Sequence, residues 1–294
     1  MPAVALLLAA VAATATGCAG APSVPADVAR AADALRQKEG GVDVAVRATD
    51  SIAEPPLPNF GQRVTQPVWL DVEVTLDPGL DRDRAQELTL GAFGAFTAPD
   101  LVTGEDTTLR LAFRAGAGEE RAPLVDVRAA AGAPAAEVAD AVADALQIAR
   151  AGAGSVDIAI EPEGCGGIAC MAWVRADDAE AFPALHEAAA HAHRQTELEA
   201  PGARFGTPPE HDTAKLALLV ELAGRTPVAD VAYLAQQNRF RIVVDAPAGS
   251  PELEDVARWL EERPDARASG QHWGWTIVDE NGSERVGWVS GFAP

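Results

Sequence analysis

The stretch ADALQIARAGAGSVDIAI at residues 143–160 combines a helical pattern, a glycine-rich break and a strand pattern, and the chain contains it twice. Residues 32–46, ADALRQKEGGVDVAV, have the same Ala-Asp-Ala-Leu start and the same Val-Asp-Val-Ala-Val type of ending. Glycine after an apolar stripe is typical of a helix end, and alternation of apolar with polar or small residues predicts a strand. The recurrence therefore predicts an internal duplication with a unit of about domain length.

Outward from this stretch, strand-like runs lead into helical runs along the whole chain. Single helices alternate with pairs of strands, which predicts an α+β fold whose antiparallel sheets carry helices on one face. The predicted order β-α-β-β-α-β, which begins at residue 68, is that of a ferredoxin-like module. It repeats from residue 168, with a predicted strand at 171–175 (MAWVR) and a predicted helix at 251–262. This second half has an added helix at 213–223 and a Pro/Gly-rich insertion at 201–209. We therefore predict two tandem α/β-sandwich (ferredoxin-like) modules, residues 27–162 and 163–294.

Composition excludes several classes of protein. The 294 residues are 48% hydrophobic and carry a formal net charge of −21, with a sequence pI near 4.5. The apolar fraction excludes disorder throughout, and the negative charge argues against a nucleic-acid partner, whose phosphates require basic residues. Only Lys38 and Lys215 are lysines, so arginine supplies nearly all the positive charge. This alanine-rich, arginine-over-lysine composition indicates a GC-rich genome.

The N-terminus resembles the signal peptide of bacterial lipoproteins, with the composition suggesting an actinobacterial one. Residues 3–16 are apolar or small and uncharged, and Ala15-Thr16-Gly17-Cys18 follows as the lipobox does in that family. The resemblance implies a signal peptide over residues 1–17, a lipid on Cys18 and a tether to residue 26. It also implies localisation on the extracytoplasmic face of the cell membrane, with the membrane as partner. An ordinary cleaved signal and an uncleaved anchor are the alternatives.

The other two cysteines, Cys165 and Cys170, lie in the loop GCGGIAC at 164–170, between two strand-like runs. An exported protein can keep a disulfide, so we predict that they are bonded to each other. Free thiols are the alternative. A metal site would need two more ligands at suitable spacing, which the neighbouring sequence does not supply.

No catalytic, metal-binding or cofactor-binding constellation is predicted. His186 and His191 are five residues apart, about 140° around a helix, so they cannot chelate as an i, i+4 pair does. Residues 279–284 (DENGSE) partly match a calcium loop, but Asn281-Gly282 between strands indicates a hairpin turn. Acidic pairs lie mostly at helix starts, where they meet the positive end of the helix dipole. No nucleophile elbow, P-loop or dinucleotide-binding glycine pattern is present.

Three tryptophans near the C-terminus, Trp273, Trp275 and Trp288, form the candidate binding surface. Trp273 and Trp275 are two residues apart on a predicted strand and therefore share a face, with Trp288 across the hairpin. Exposed tryptophans bind sugars or protein partners, whereas buried ones fill a core that is poor in large residues. Because alanine supplies so much of the apolar content, the composition favours the core for all three, and the exposed binding surface is the alternative.

The preferred hypothesis from sequence is a surface-tethered, non-catalytic lipoprotein that acts as a binding or envelope-associated module, with a protein or cell-envelope partner. One alternative is a secreted hydrolase that uses acidic residues in a cleft between the two modules. Another is a structural accessory subunit of a membrane complex.

Overall fold

The computed structural model describes residues 24–37, 42–50, 68–98, 107–116, 124–162, 164, 170–192, 194–206, 213–263 and 273–289. The helices are α1 Ala26–Gln37, α2 Arg82–Phe96, α3 Ala135–Arg150, α4 Phe182–His191, α5 Thr213–Ala223 and α6 Pro251–Glu262. The strands are β1 Asp43–Asp50, β2 Val68–Leu76, β3 Thr107–Ala115, β4 Val125–Ala130, β5 Ser155–Ile160, β6 Ala172–Arg175, β7 Thr196–Ala200, β8 Ala203–Gly206, β9 Val228–Leu234, β10 Arg239–Val244, β11 Gly274–Val278 and β12 Glu284–Trp288.

These strands form one sheet in which each strand pairs with its neighbours in sequence, in the order β1 to β12. Pairing alternates strictly: β1 and β2 are antiparallel, β2 and β3 parallel, β3 and β4 antiparallel, and so on to the antiparallel pair β11 and β12. Every parallel pair is joined through one helix, because only a crossover can connect adjacent parallel strands. The chain is thus six successive helix–strand–strand units.

The predicted α+β fold is confirmed only as a mixture of helices and strands, and the antiparallel sheets of two ferredoxin-like modules are not, because the sheet is partly parallel. In a ferredoxin-like module, each helical crossover joins two strands that have a third strand between them. Neighbouring strands are therefore antiparallel. Here the crossovers connect strands that are direct neighbours, so those pairs are parallel. The predicted boundary at residues 162 and 163 falls between β5 and β6, which are hydrogen-bonded to each other.

The two copies of the recurring passage occupy equivalent places in different units. Residues 32–46 cover the end of α1 and the start of β1, in the first unit. Residues 143–160 cover the second half of α3 and all of β5, in the third unit. The spacing between the copies therefore spans two helix–strand–strand units.

Among the residues that the structure describes, the helices cover one face of the sheet and leave the other open. Alternate strand residues such as Val72, Phe113 and Ile158 are almost fully buried, and they belong to one core with the apolar stripes of the helices. Successive helices from α1 to α5 contact one another, and Arg263 at the end of α6 pairs with Glu221 of α5, so all six lie on the same side.

Local sequence sets the ends of the elements. Asp81 caps α2 by accepting a hydrogen bond from the backbone N–H of Arg84. Ser250 caps α6 by accepting a hydrogen bond from the backbone N–H of Leu253. Asp279 closes the β11–β12 hairpin by accepting from the backbone N–H groups of Asn281 and Ser283. Position 282 has a φ of +82°, which favours the glycine found there. The hairpin predicted at this position is present.

The first strand is protected along its backbone. The N–H of Val44 donates to the Oδ1 of Asp43 at 2.8 Å, and the C=O of Val44 accepts from the Nε of Arg36 at 2.9 Å. Side chains of the same chain thus occupy the backbone groups that a further strand would use at this residue.

The centre of the helical layer contains a buried carboxylate. Asp144 of α3 is 2% exposed, and its Oδ1 accepts from the Nη1 of Arg82, at the start of α2, at 2.7 Å. Its Oδ2 accepts from the Nε and Nη2 of Arg194, which follows α4, at 2.9 and 2.7 Å. Since the donors come from both flanking segments, Asp144 joins three successive units.

Candidate functional site

The open face of the sheet is the surface that the fold leaves available for binding. Residues paired across strands point to the same face, so the register gives its composition directly. Arginines and carboxylates alternate across it in comparable numbers, although the whole chain is strongly acidic. The charged residues of this face are Asp43, Arg47, Asp71, Glu73, Arg110, Arg114, Asp126, Arg128, Asp157, Arg175, Glu197, Glu199, Arg204, Asp230, Arg239, Arg241 and Glu284.

A groove of about 550 Å³ runs over strands β1 to β5 on this face. It is a depression because small side chains line it where larger ones would stand: Ala45, Ala112, Ala130 and Ala159. Its charged lining consists of Arg47, Asp71, Glu73, Arg110, Arg114, Arg128 and Glu161. The groove thus carries a small excess of positive charge, whereas the chain as a whole is at −21.

Two arginines of the groove are held in fixed positions. The guanidinium of Arg110 lies 3.2 Å from the ring centroid of Trp69, on the adjacent strand β2. Arg114 donates to the Oε2 of Glu73 at 2.6 Å and to the Oδ1 of Asp126 at 3.3 Å. Such pre-ordered guanidinium groups can bind carboxylate or phosphate groups of a ligand with little loss of side-chain entropy.

Beyond the groove, the open face over β5 to β7 is acidic and aromatic. Asp126, Asp157, Trp173 and Glu197 are successive register partners on β4, β5, β6 and β7. Burial, reinforced by the charge of Asp126, raises the pKa of Asp157. Burial also raises the pKa of Glu197, against the effect of Arg204. Trp173 is 50% exposed between these two carboxylates.

The structure separates the three tryptophans predicted as one binding surface. Trp273 and Trp275 are 2% and 0% exposed, so neither can form an exposed binding surface, and the core interpretation holds for both. They point to the helix side with Phe240, and the ring of Trp275 fills the space where a Cβ on Gly287 would come within 2.1 Å. Trp288 pairs with Gly274 and therefore lies on the open face, partly exposed, with the guanidinium of Arg239 6.0 Å from its ring centroid.

The cysteine predictions fall mainly on parts of the chain outside the described residues. Cys18 and the whole signal and tether segment up to residue 23 lie there, and so does Cys165. Cys170 is described and is 7% exposed just before β6. The Cys165–Cys170 disulfide and the lipid on Cys18 stay predictions.

The histidine cluster is divided between core and surface. His186 is 5% exposed and packs edge-on against Phe205, with ring centroids 6.2 Å apart. His191 is exposed and lies 3.8 Å from Glu187, and His193 is outside the described residues. Within the described ranges, no three or more His, Cys, Asp or Glu side chains are arranged to hold a metal ion.

Trp173 and Asp144 are the two residues whose importance was missed from sequence. Trp173 stands in the predicted strand MAWVR, alternating with the buried Ala172 and Val174, so the period-two pattern already placed it on the polar face. Asp144 stood out in the sequence only as part of the recurring Ala-Asp-Ala-Leu segment, and its arginine partners are 62 and 50 residues away in sequence.

Comparison of the chain with protein-family models, with curated proteins and with solved structures found no match in any of the three. Among the residues that the structure describes, no helix is long and apolar enough to span a membrane.

Proposed function

We propose that this chain is a lipid-anchored, non-catalytic binding protein on the extracytoplasmic face of a bacterial cell membrane, and that its binding surface is the open face of the sheet. The lipobox-like segment ending in Cys18 supports the anchor, and residues 19–26 provide a short tether. The helix layer uses its apolar stripes to cover the other face of the sheet, so the open face is the one offered to a partner.

The observation that carries this proposal is the groove over β1 to β5. An open sheet face that only meets water needs no concavity and no ordered arginines. Here alanines form a depression of about 550 Å³, and Arg110 and Arg114 are held in place beside it by Trp69 and by two carboxylates. A shaped, pre-ordered and charged surface is what recognition of a polar partner requires.

The anchor is tested by Cys18→Ala. We expect this variant to lose labelling by a palmitate analogue and to leave the membrane fraction, because the acyl chains supply the membrane affinity. Unchanged labelling would overturn the lipid attachment.

The binding surface is tested by capturing partners from solubilised membranes. We expect a partner bound by the wild-type chain to be lost with Arg110→Glu or Arg128→Glu, since both residues line the groove. Arg258→Glu is the matched control, because Arg258 is as exposed as Arg128 but lies on α6, on the other side of the sheet. Equal capture by all three variants would contradict the proposal. A stoichiometric membrane complex that needs the groove would make the chain an accessory subunit of that complex.

One observation favours hydrolysis as a second candidate function. Asp126 and Asp157 are register partners on adjacent strands, and the pKa of Asp157 is raised by burial and by Asp126. Two carboxylates with different environments can act as acid and base on a glycosidic bond. Turnover of a cell-wall or peptide substrate that is lost in Asp157→Asn would establish this function, and the binding proposal would then be incomplete.

A further inference from the structure

Five of the six tryptophans lie close to a cation of the same chain. Arg110 lies 3.2 Å from the ring centroid of Trp69, and Arg225 and Arg263 lie 4.4 and 4.6 Å from that of Trp259. For the remaining three, the distances are 5.7 Å from Lys215 to Trp273, 5.9 Å from Arg285 to Trp275 and 6.0 Å from Arg239 to Trp288. Pairing of indoles with cations is therefore a general feature of this protein.

Trp173 is the exception within the described part of the chain. No lysine or arginine there lies over its ring, and half of the side chain is exposed on the open face. The nearby arginines face carboxylates and not the ring: Arg175 lies 3.6 Å from Glu199, and Arg204 lies 3.1 Å from Glu199. Arg204 also lies 3.8 Å from Glu197, at the edge of the same surface. The indole thus offers a π face that no cation of the described residues covers.

The two neighbours of Trp173 add negative charge on both sides. Asp157 on β5 and Glu197 on β7 are its direct register partners. Cross-strand neighbours have Cβ atoms about 5 Å apart, so both carboxylates are within reach of a group placed on the ring. Burial raises the pKa of each carboxyl, because it removes water from the charged form.

We propose that Trp173, Asp157 and Glu197 form a binding site for the guanidinium or ammonium group of a basic segment of a protein partner. The cation stacks on the indole, and the two carboxylates accept its hydrogen bonds. The net charge of −21 attracts such a partner from a distance. This inference rests on the proposed function, because it names the chemistry that one part of the open face recognises.

The test uses the full chain and a fluorescein-labelled hexa-arginine peptide, with binding followed by anisotropy at physiological salt. We expect Trp173→Leu to weaken binding about tenfold, because leucine keeps the apolar area but has no π face. Trp173→Tyr should recover most of the affinity, and Asp157→Asn with Glu197→Gln should lose it. Trp288→Leu is the matched control on the same face, since that ring already has Arg239, and it should bind as the wild type does.

Several outcomes would overturn this site. Equal affinity of the Trp173→Leu and wild-type chains would show that the peptide is held only by the general negative charge. Equal weakening by the Leu and Tyr variants would exclude the π contact. A neutral N-acetylglucosamine oligomer that binds through Trp173, while hexa-arginine does not, would replace the basic partner by a sugar. If partner capture still depends on Arg110 and Arg128 in any of these cases, the proposed function stands and only the Trp173 site fails.

Discussion

The two copies of the recurring passage place the same residues in different surroundings. Asp33 of α1 and Asp144 of α3 both stand in an Ala-Asp-Ala-Leu segment, yet the side chain of Asp33 is 63% exposed and that of Asp144 is 3% exposed. Within the described ranges, Asp33 pairs only with Arg36 of its own helix, whereas Asp144 is bound by arginines from the two neighbouring units.

The strand halves of the passages differ in the same way. The side chain of Asp43 on the edge strand β1 is 82% exposed, while its counterpart Asp157 lies between β4 and β6, with a pKa raised by burial and by Asp126. The local sequence is nearly the same in both copies. Position in the array, with one neighbouring unit or two, therefore decides whether an aspartate is a solvated surface group or a buried one.

The largest difference in unfolding free energy is expected between the variants Asp144→Ala and Asp33→Ala. Removing Asp144 leaves Arg194, whose side chain is 10% exposed, without its carboxylate partner, so we expect a loss of about 3–5 kcal/mol in unfolding free energy. Asp33→Ala removes an exposed i,i+3 pair and should cost about 0.2–0.5 kcal/mol. Urea unfolding followed by circular dichroism measures both. Asp144→Asn keeps the shape of the side chain and loses its charge, so its loss of unfolding free energy should lie between those of the two alanine variants. Equal losses of unfolding free energy at positions 33 and 144 would refute the role of position in the array.

A smaller difference is expected for the leucines that end the two Ala-Asp-Ala-Leu segments. Leu146 is 1% exposed in a helix that contacts helices on both sides, and Leu35 is 8% exposed in α1. Because a cavity at Leu146 is enclosed on more sides, Leu146→Ala should cost about 3–4 kcal/mol and Leu35→Ala about 2 kcal/mol. Thermal unfolding of the two variants shows which one is destabilised more. A larger loss of stability in Leu35→Ala than in Leu146→Ala would contradict the prediction.

The smallest effect, and one of opposite sign, is expected for Asp157→Asn. The raised pKa means that the native state binds this proton more tightly than the unfolded state, so the carboxyl favours folding in acid and this contribution is lost as the pH rises through the native pKa. The groups that face it are Asp126 and Arg128 of β4 and Arg175 of β6.

The variant should therefore be as stable as the wild type or more stable at pH 7, with the difference shrinking toward pH 3. Unfolding experiments across this range measure it. Asp43→Asn is the matched control and should stay within about 0.5 kcal/mol of the wild type at pH 7, because its exposed carboxylate is screened by water. A wild type that is the more stable of the two at pH 7 would refute the effect predicted for Asp157→Asn.

Local patterns predicted most elements but could not predict how the strands pair. The bounds of α5 and α6 agree with the predicted helices at 213–223 and 251–262, where periodicity and capping residues act within the segment. Strands β7, β8 and β9 were missed, because β7 and β8 are short and the Pro201-Gly202 turn made the segment resemble an irregular insertion. The order β-α-β-β-α-β fits both a ferredoxin-like module and a sequential array, since it does not state which strands are neighbours.

The candidate site shows the same limit. Alternation placed Trp173 on the polar face of its strand. That no arginine lies over its ring depends on Glu199, which binds Arg175 and Arg204 among the described residues. The C-terminal tryptophans were grouped by their closeness in sequence, and the register separates them: Trp288 pairs with Gly274, between Trp273 and Trp275. Position along the chain thus predicts the strand that a side chain belongs to, and pairing decides its face.

Because the strands pair in sequence order, the edge of this sheet presents backbone groups that a further strand of another chain could use. The backbone groups of Val44, which Asp43 and Arg36 occupy, interrupt that possibility at the first strand. Copies of the chain that meet at high local concentration could otherwise pair through matching strand edges. At this residue of the first strand, the two side-chain contacts oppose pairing with a strand of another copy. They thereby favour a sheet whose number of strands is fixed by one chain and not by association of several chains.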